Sequence, residues 1–404
     1  MLKKFNCRIL SIEDKEALKA EMLAQVEPTE TGAVKVSNKG TCYNILLRNV
    51  KPVVANVIKQ EMLSIGADAI VPKGALDLSV ENCNVILTGN MKHFKLLRQK
   101  LKSQPFSLKF LGKEILSLIE NYNCKNYRLN LKGREFHLKN GKTYIMGILN
   151  VTPDSFSDGG KFYSVDSALK QVEKMLEQGA DFIDIGGEST RPGAEAVSVD
   201  EELKRVIPVI EEVTKRFEDV VISIDTYKAK VAKQAIDAGA LIVNDISGLK
   251  FDSQMASVVS SCNVPVILMH IKGTPKNMQK NPVYNNLLNE IFDFFQDSLK
   301  ILENANGNIS NVIIDPGIGF GKTFEHNIEI LKRLKEFTSL GLPILIGASR
   351  KSFLGTILNR QNPEERILGS LSVAAISALR GAKILRVHDV KETYEVLQVA
   401  DALI

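Results

Sequence analysis

Apolar and polar positions along this chain fall into two regimes. From about residue 143 onward, short apolar runs of strand length alternate with longer stretches of helical period. Almost every short run leads into a polar side chain. The runs are 143–149 before Asn150, 182–185 before Glu188-Ser189-Thr190-Arg191, 221–224 before Asp225, and 241–243 before Asn244-Asp245. They continue with 266–269 before His270, 312–314 before Asp315, 344–346 before Ser349-Arg350-Lys351, and 384–387, which contains Arg386, before His388. Helical periods fill the gaps at 167–178, 200–216, 228–237, 254–260, 287–302, 326–338, 363–379 and 390–402. Asp166 or Ser164 is expected to cap the first of these helices, and Gly179, Gly239 and Gly381 are placed to end helices in the left-handed conformation.

Eight strand–helix units in series imply an α/β fold with a parallel sheet closed into a (β/α)8 TIM barrel. A doubly wound open sheet fits less well, because no Gly-x-Gly-x-x-Gly follows the first strand. In such barrels the active site lies at the carboxyl ends of the strands. The polar residues that follow the runs are therefore the candidate site.

The preceding part has a different pattern. Residues 1–125 read as a small α+β domain, with helices at 17–26, 53–65, 93–102 and 113–121 and strands at 44–49, 69–71 and 84–88. Residues 126–142 read as a linker or N-terminal hairpin, with Asn140-Gly141 as the turn signal. The catalytic barrel is expected over 143–404. No catalytic cluster stands out in the first 125 residues, which suit either an interaction module or a second enzymatic domain; interaction is the default.

Composition narrows the classes. At 404 residues the chain exceeds what one hydrophobic core usually supports. No apolar stretch reaches the length needed to span a bilayer, and the N-terminus lacks a signal-peptide core, so a cytoplasmic protein is expected. The 5 cysteines are scattered and odd in number, which argues against a disulfide framework or zinc site. The net charge of +5 hides an asymmetry: residues 1–140 carry 23 Lys and Arg against 13 Asp and Glu. Trp is absent and no aromatic residues interleave with the basic ones, so no nucleic-acid partner is expected.

The loops carry the chemistry. Asn150-Val151-Thr152-Pro153-Asp154-Ser155-Phe156, Asp184-Ile185-Gly186-Gly187-Glu188-Ser189-Thr190-Arg191-Pro192-Gly193, Asn244-Asp245-Ile246-Ser247-Gly248, Asp315-Pro316-Gly317-Ile318-Gly319-Phe320-Gly321-Lys322, Ser349-Arg350-Lys351-Ser352 and Arg386-Val387-His388 follow one another in order. Together with Asp225-Thr226-Tyr227 they resemble the dihydropteroate synthases, over about residues 143–404. These enzymes condense 6-hydroxymethyl-7,8-dihydropterin diphosphate with p-aminobenzoate and release diphosphate.

A flat pterin offers an edge of donors and acceptors, and a buried carboxylate matches that edge with charge-assisted hydrogen bonds. The resemblance implies that Asp225, Asn244, Asp315 and Lys351 bind the pterin. By itself, Asp315 before Pro316-Gly317 also suits a turn cap, and Asn244 and Asp245 suit Asx turns. For diphosphate the resemblance implies Asn150, Arg386 and His388, with Asn150 also serving Mg²⁺, a cation that favours oxygen ligands and retains waters. Thr190, Arg191, Pro192, Phe320 and Ser352 are assigned to p-aminobenzoate. Asp225, Lys351, Arg386 and His388 are the expected catalytic set, in a dissociative substitution. A homodimer is expected from the family. His270 receives no role, because Ile271-Lys272 stands where the family often has Met-Gln. The alternatives are a folate-binding methyltransferase barrel, which needs no diphosphate site, and a catalytically silent pterin-binding protein.

Overall fold

The computed structural model describes residues 10, 12, 14–152, 161–189, 193 and 195–403, with backbone only at 161–164. Two compact units divide the chain at residues 120 and 121.

The first unit begins with α1 (Lys15–Val26) and α2 (Glu30–Gly40), followed by β1 (Cys42–Val50), α3 (Pro52–Ser64), β2 (Asp68–Ile70), the short α4 (Lys73–Leu76), β3 (Cys83–Asn90), α5 (Met91–Leu101) and α6 (Leu108–Tyr122), whose last two residues lie past the boundary. Helix α2 escapes the periodicity reading: its sequence holds Gly32 and two valines, and a Thr29 side-chain cap on Gly32 N starts it. The antiparallel sheet has the order β1-β3-β2. Along β3, Cys83, Val85 and Leu87 face a core that also contains Ile58, Met62, Phe94, Leu97 and Ile115, so one sheet face is covered by helices.

The second unit opens with a hairpin, β4 (Tyr127–Leu131) and β5 (Arg134–Leu138). Its turn is at Lys132-Gly133, both with positive φ (51° and 96°), and not at Asn140-Gly141, which joins the hairpin to the barrel. Then follow β6 (Tyr144–Asn150), α7 (Lys161–Glu177), β7 (Phe182–Gly186), α8 (Val199–Arg216), β8 (Ile222–Asp225), α9 (Ala229–Ala238), β9 (Ile242–Asp245), α10 (Met255–Cys262) and β10 (Val266–Met269). The chain continues through α11 (Leu287–Asn304), β11 (Val312–Asp315), α12 (Phe324–Lys332), β12 (Ile344–Ile346), α13 (Ser352–Leu358), α14 (Ile367–Leu379), β13 (Ala382–Val387) and α15 (Val390–Ala402). The strands β6 to β13 close into one barrel of parallel neighbours, with β13 against β6 completing the circle. Helix α7 begins at Lys161, so Ser164 and Asp166 lie inside it and neither is its cap.

Side chains alternate along each strand, and this sorts the barrel into layers. The outward residues Ile183, Ile185, Ile224 and Leu385 pack against the helices. The lower inward residues Tyr144, Met146, Phe182, Ile242, Ile267, Ile313, Leu345 and Ile384 form a separate apolar cluster. The hairpin plugs this end: Tyr127, Leu129, Leu131 and Leu138 join that cluster, and Phe136 lies 5.1 Å from the Phe182 ring. Asn130 and Asn311 exchange hydrogen bonds of 2.6 and 3.0 Å, which fix the plug to the chain entering β11. Two residues beyond Phe182, Ile242, Ile313 and Ile384 the inward side chain turns polar.

Candidate functional site

Four strands supply charged or amide side chains to that layer. Asp184 stands two residues beyond Phe182, Asn244 two beyond Ile242, Asp315 two beyond Ile313, and Arg386 two beyond Ile384. All project inward, because the strand period is two. The Arg386 guanidinium bridges two strands across the barrel: Nε donates to Asp184 Oδ2 at 2.6 Å and Nη2 to Asp225 Oδ2 at 2.6 Å. Asn244 Nδ2 donates to the same Asp184 oxygen at 3.0 Å. The other oxygens, Asp184 Oδ1 and Asp225 Oδ1, are buried with no hydrogen-bond partner among the described residues. Buried acceptors without partners are costly, and these two sit in the layer where a ligand's N–H groups would satisfy them.

Burial sets the proton affinities here. It raises Asp225 to about 7 against the pull of the Arg386 cation, with the Asp184 charge adding to the rise. Burial also raises Asp315, opposed first by Lys351 and then by the Gly317 amide. Arg386 would be lowered by burial, but Asp184 and Asp225 outweigh this and hold it above its ordinary value. Lys351 is lowered to about 8 by burial, with Asp315 acting against the shift. Asp245 is raised to about 6 by burial and accepts from Ser247 N, Ser247 Oγ and Leu249 N. It closes an Asx turn that supports the β9 end.

Asp315 has two tasks. Its Oδ1 accepts from Gly317 N at 2.8 Å, which is the turn cap, while Oδ2 lies toward Gly347 and the barrel mouth. Gly317 has φ 71°, and a Cβ there would stand 1.9 Å from His270 O, so only glycine fits. Lys351 Nζ donates to Ile318 O and lies 4.6 Å from the centre of the Phe320 ring. Phe320 and Tyr227 pack on a small apolar cluster of Ile246, Met269, Ile271 and Met278 at the mouth. Ser352 is exposed and opens α13 beside Lys351. His388 follows β13, and its Nδ1 is 3.0 Å from Ser349 Oγ, so the β12 loop orients the imidazole. Arg350 is committed elsewhere, with Asp389 as a two-point partner at 2.5 and 3.0 Å. Asn150 is half-buried at the end of β6, paired in register with Gly186.

Asp225, Asn244, Asp315, Lys351, Arg386 and Phe320 thus come together at the mouth, with Asn150, His388 and Ser352 at its rim. Thr190, Arg191 and Pro192 lie outside the described residues. The root of their loop is described: Glu188 accepts from Tyr227 OH at 2.9 Å and from Lys228 Nζ, and Lys228 also reaches Val197 O at 2.6 Å and Glu202 at 2.5 Å. Sequence reasoning passed over Asp184. Its signal was present: a lone carboxylate in phase with Phe182 inside an otherwise apolar strand. Ser349 and Lys322 stand within the β12 and β11 loop motifs, and no local pattern marks their contacts to His388 and His270.

The residues fit a magnesium ion only as a shared ligand. Among the described residues no three His, Cys, Asp or Glu side chains converge to hold a metal. The fitting donors are the Asn150 amide oxygen together with substrate phosphate oxygens and water.

The model of the pterin binding enzymes matches residues 146–388, most of the barrel. The dihydropteroate synthase of Bacillus subtilis is 49% identical over 263 residues, covering 65% of this chain and 89% of its own. The structure of Xanthomonas albilineans dihydropteroate synthase with 4-aminobenzoic acid superposes with a TM-score of 0.64 at 42% identity, covering 68% of this chain and 97% of its own. A Haloferax volcanii protein named a probable bifunctional folylpolyglutamate synthase/dihydropteroate synthase is 39% identical over 354 residues. That match covers 86% of this chain and 41% of its own, so it runs past the barrel into the first unit. With a family model across the barrel and two relatives covered over 89% and 97% of their length, the chain belongs to the dihydropteroate synthases of the pterin-binding enzyme family.

Proposed function

We propose that the barrel mouth divides the condensation of 6-hydroxymethyl-7,8-dihydropterin diphosphate with p-aminobenzoate among three groups of side chains. Asp225, Asn244, Asp315 and Lys351 bind the pterin. Asn150, Arg386 and His388 serve the diphosphate. Phe320 and Ser352, with Thr190, Arg191 and Pro192 on the β7 loop, receive p-aminobenzoate. The observation that carries the reading is the pair of buried, unpartnered oxygens on Asp184 and Asp225. They await donors, as does the Ser223 hydroxyl oxygen beside Asp184, and the N–H edge of a pterin supplies them.

The described charges sharpen the diphosphate half. Arg386 is already paired with Asp184 and Asp225, and burial draws Lys351 and Lys322 below the ordinary lysine range. The buried layer has no surplus cation for a diphosphate, which suits an anion that arrives with Mg²⁺. Bound at Asn150 and the phosphates, the ion would neutralise negative charge on the leaving group. Asp225 and Asp315 favour positive charge on the pterin as the C–O bond to diphosphate breaks. The amine lone pair of p-aminobenzoate then forms the C–N bond and the amine loses a proton. The apolar patch around Phe320 keeps that ring in place.

Incubating the full chain with both substrates and Mg²⁺ should yield 7,8-dihydropteroate and diphosphate by liquid chromatography. Asp315→Asn should lower turnover at least ~100-fold, the scale of losing a charged recognition contact and its electrostatic support. Full turnover in Asp315→Asn would overturn the pterin assignment. We place the reaction in the cytoplasm and expect a homodimer, to be checked by sedimentation equilibrium. No helix among the described residues is long and apolar enough to cross a membrane.

For the first unit we favour interaction over catalysis. Leu46, Ile86 and Ile70 stand opposite one another on adjacent strands and are 47%, 42% and 68% exposed, a row on the uncovered sheet face. Replacing all three by threonine, which keeps strand preference, should leave turnover intact while weakening any self-association seen in the sedimentation experiment. Unchanged association would remove this row from the interaction reading.

A further inference from the structure

The β11 loop is held more completely than its glycine content suggests. Four successive carbonyls, from residue 318 to 321, each accept from a different side chain. Lys351 Nζ takes Ile318 O, Gln279 Nε2 takes Gly319 O at 2.6 Å, Lys322 Nζ takes Phe320 O at 3.0 Å, and Tyr284 OH takes Gly321 O at 2.7 Å. Gly319 N adds a bond of 2.7 Å to Asn327 Oδ1. Three of the four carbonyl donors come from neighbouring barrel loops. The fourth, Lys322, belongs to the loop itself and is 3% exposed.

A buried lysine with no carboxylate at hydrogen-bond distance among the described residues needs another explanation for its place. Lys322 Nζ lies 2.8 Å from His270 Nδ1 and 3.4 Å from His270 O. Two carbonyls can only accept, so the amine donates to both. Its contact with Nδ1 is a third hydrogen bond, donated by an ammonium to the imidazole or by Nδ1–H to a neutral amine, since burial draws the proton affinity of both groups down. His270 is itself 4% exposed, and its ring packs 4.8 Å from Phe294 in an edge contact. The backbone closes the same junction, since His270 N donates to Asp315 O at 2.9 Å. Lys322 therefore ties the end of β10 to the carbonyl of Phe320.

We propose that Lys322 and His270 are positioning residues that act as a unit: the buried lysine–imidazole contact fixes the Phe320 carbonyl and so sets where the Phe320 ring stands in the p-aminobenzoate slot. This rests on the reading of Phe320 as a wall of that slot. It also gives a task to the strand-five histidine, which the family resemblance left without one. Neither residue need touch substrate; both act through the loop.

Three variants of the full chain test the role: Lys322→Met, which keeps length without the amine; His270→Phe, which keeps the ring packing without the hydrogen-bonding nitrogen; and His270→Gln, which restores a hydrogen-bonding partner. Phe320→Leu is the control for the slot. The KM for p-aminobenzoate is expected to rise at least tenfold in Lys322→Met and His270→Phe, and by less in His270→Gln. The KM for the pterin diphosphate should stay within threefold in both His270 variants, a split that general loss of structure would not produce. Circular dichroism checks folding, and if Lys322→Met does not fold, the two His270 variants decide. If Phe320→Leu raises the p-aminobenzoate KM while the folded Lys322 and His270 variants leave it within twofold, the positioning role is overturned alone. If Phe320→Leu leaves it unchanged, the slot assignment falls and the role with it.

Discussion

Asp184 is a buried carboxylate whose main partner is a cation, and its removal has a calculable cost. Its Oδ2 accepts from Arg386 Nε at 2.6 Å and Asn244 Nδ2 at 3.0 Å, while Arg386 keeps Asp225 as a second partner. Asp184→Asn leaves a neutral oxygen for Arg386. A hydrogen bond to a charged group contributes about 1.5–3 kcal/mol and a neutral one about 0.5–1.5, so the difference is about 1–2 kcal/mol. Asp184→Leu removes the acceptor and leaves a buried guanidinium donor unmatched, which approaches the ~3–5 kcal/mol of a broken buried pair. The measurement is urea unfolding followed by circular dichroism at pH 8. Asp225, raised to about 7, is then ionised in both wild type and variant, so its titration does not mask the effect. A double-mutant cycle with Arg386→Met should return a coupling of at least ~1 kcal/mol. Two results would refute the reasoning: Asp184→Leu within about 0.5 kcal/mol of wild type, the ordinary range of surface substitutions, or the same cost with and without Arg386.

Three further outcomes follow from the same layers. Asp225 has a folded value near 7, above the ~3.9 of an unfolded aspartate; the folded state holds this proton more tightly, so its stabilising contribution is present below about pH 4 and is lost as pH rises to about 7. Asp225→Asn should flatten that decline in a pH series of unfolding midpoints, and an unchanged profile would show that Asp225 does not titrate there. Lys351, lowered to about 8, loses its charge as pH rises through that value; pterin affinity should fall above pH 8 in the wild type and less in Lys351→Arg, read by calorimetry, and identical profiles would remove its charge from pterin binding. Leu129→Ala, in the plug at the opposite end of the barrel, should cost about 2–4 kcal/mol while leaving both KM values unchanged; a shift in either would mean that the plug reaches the mouth.

The barrel was legible because two periods alternate along the chain. Eight apolar runs predicted eight strands, and all eight are found in one closed sheet. The same strand period places Asp184, Asn244, Asp315 and Arg386 inward, since each sits two residues beyond an apolar inward position. What period alone does not specify is partnership across the barrel. Arg386 and Asp184 are separated by 202 residues, and their pairing depends on strand tilt and side-chain reach, which no local pattern encodes. Local signals told only part of the story elsewhere. Asn140-Gly141 does form a turn, but the one between the hairpin and the barrel; the hairpin itself turns at Lys132-Gly133, because pairing Tyr127 with Leu138 puts its apolar face against the barrel floor. Sequence alone gives His270 no role and leaves Lys322 unassigned in the Gly-rich β11 loop. Brought together by the parallel pairing of β10 and β11, they satisfy one another without a carboxylate, and this explains why both tolerate full burial.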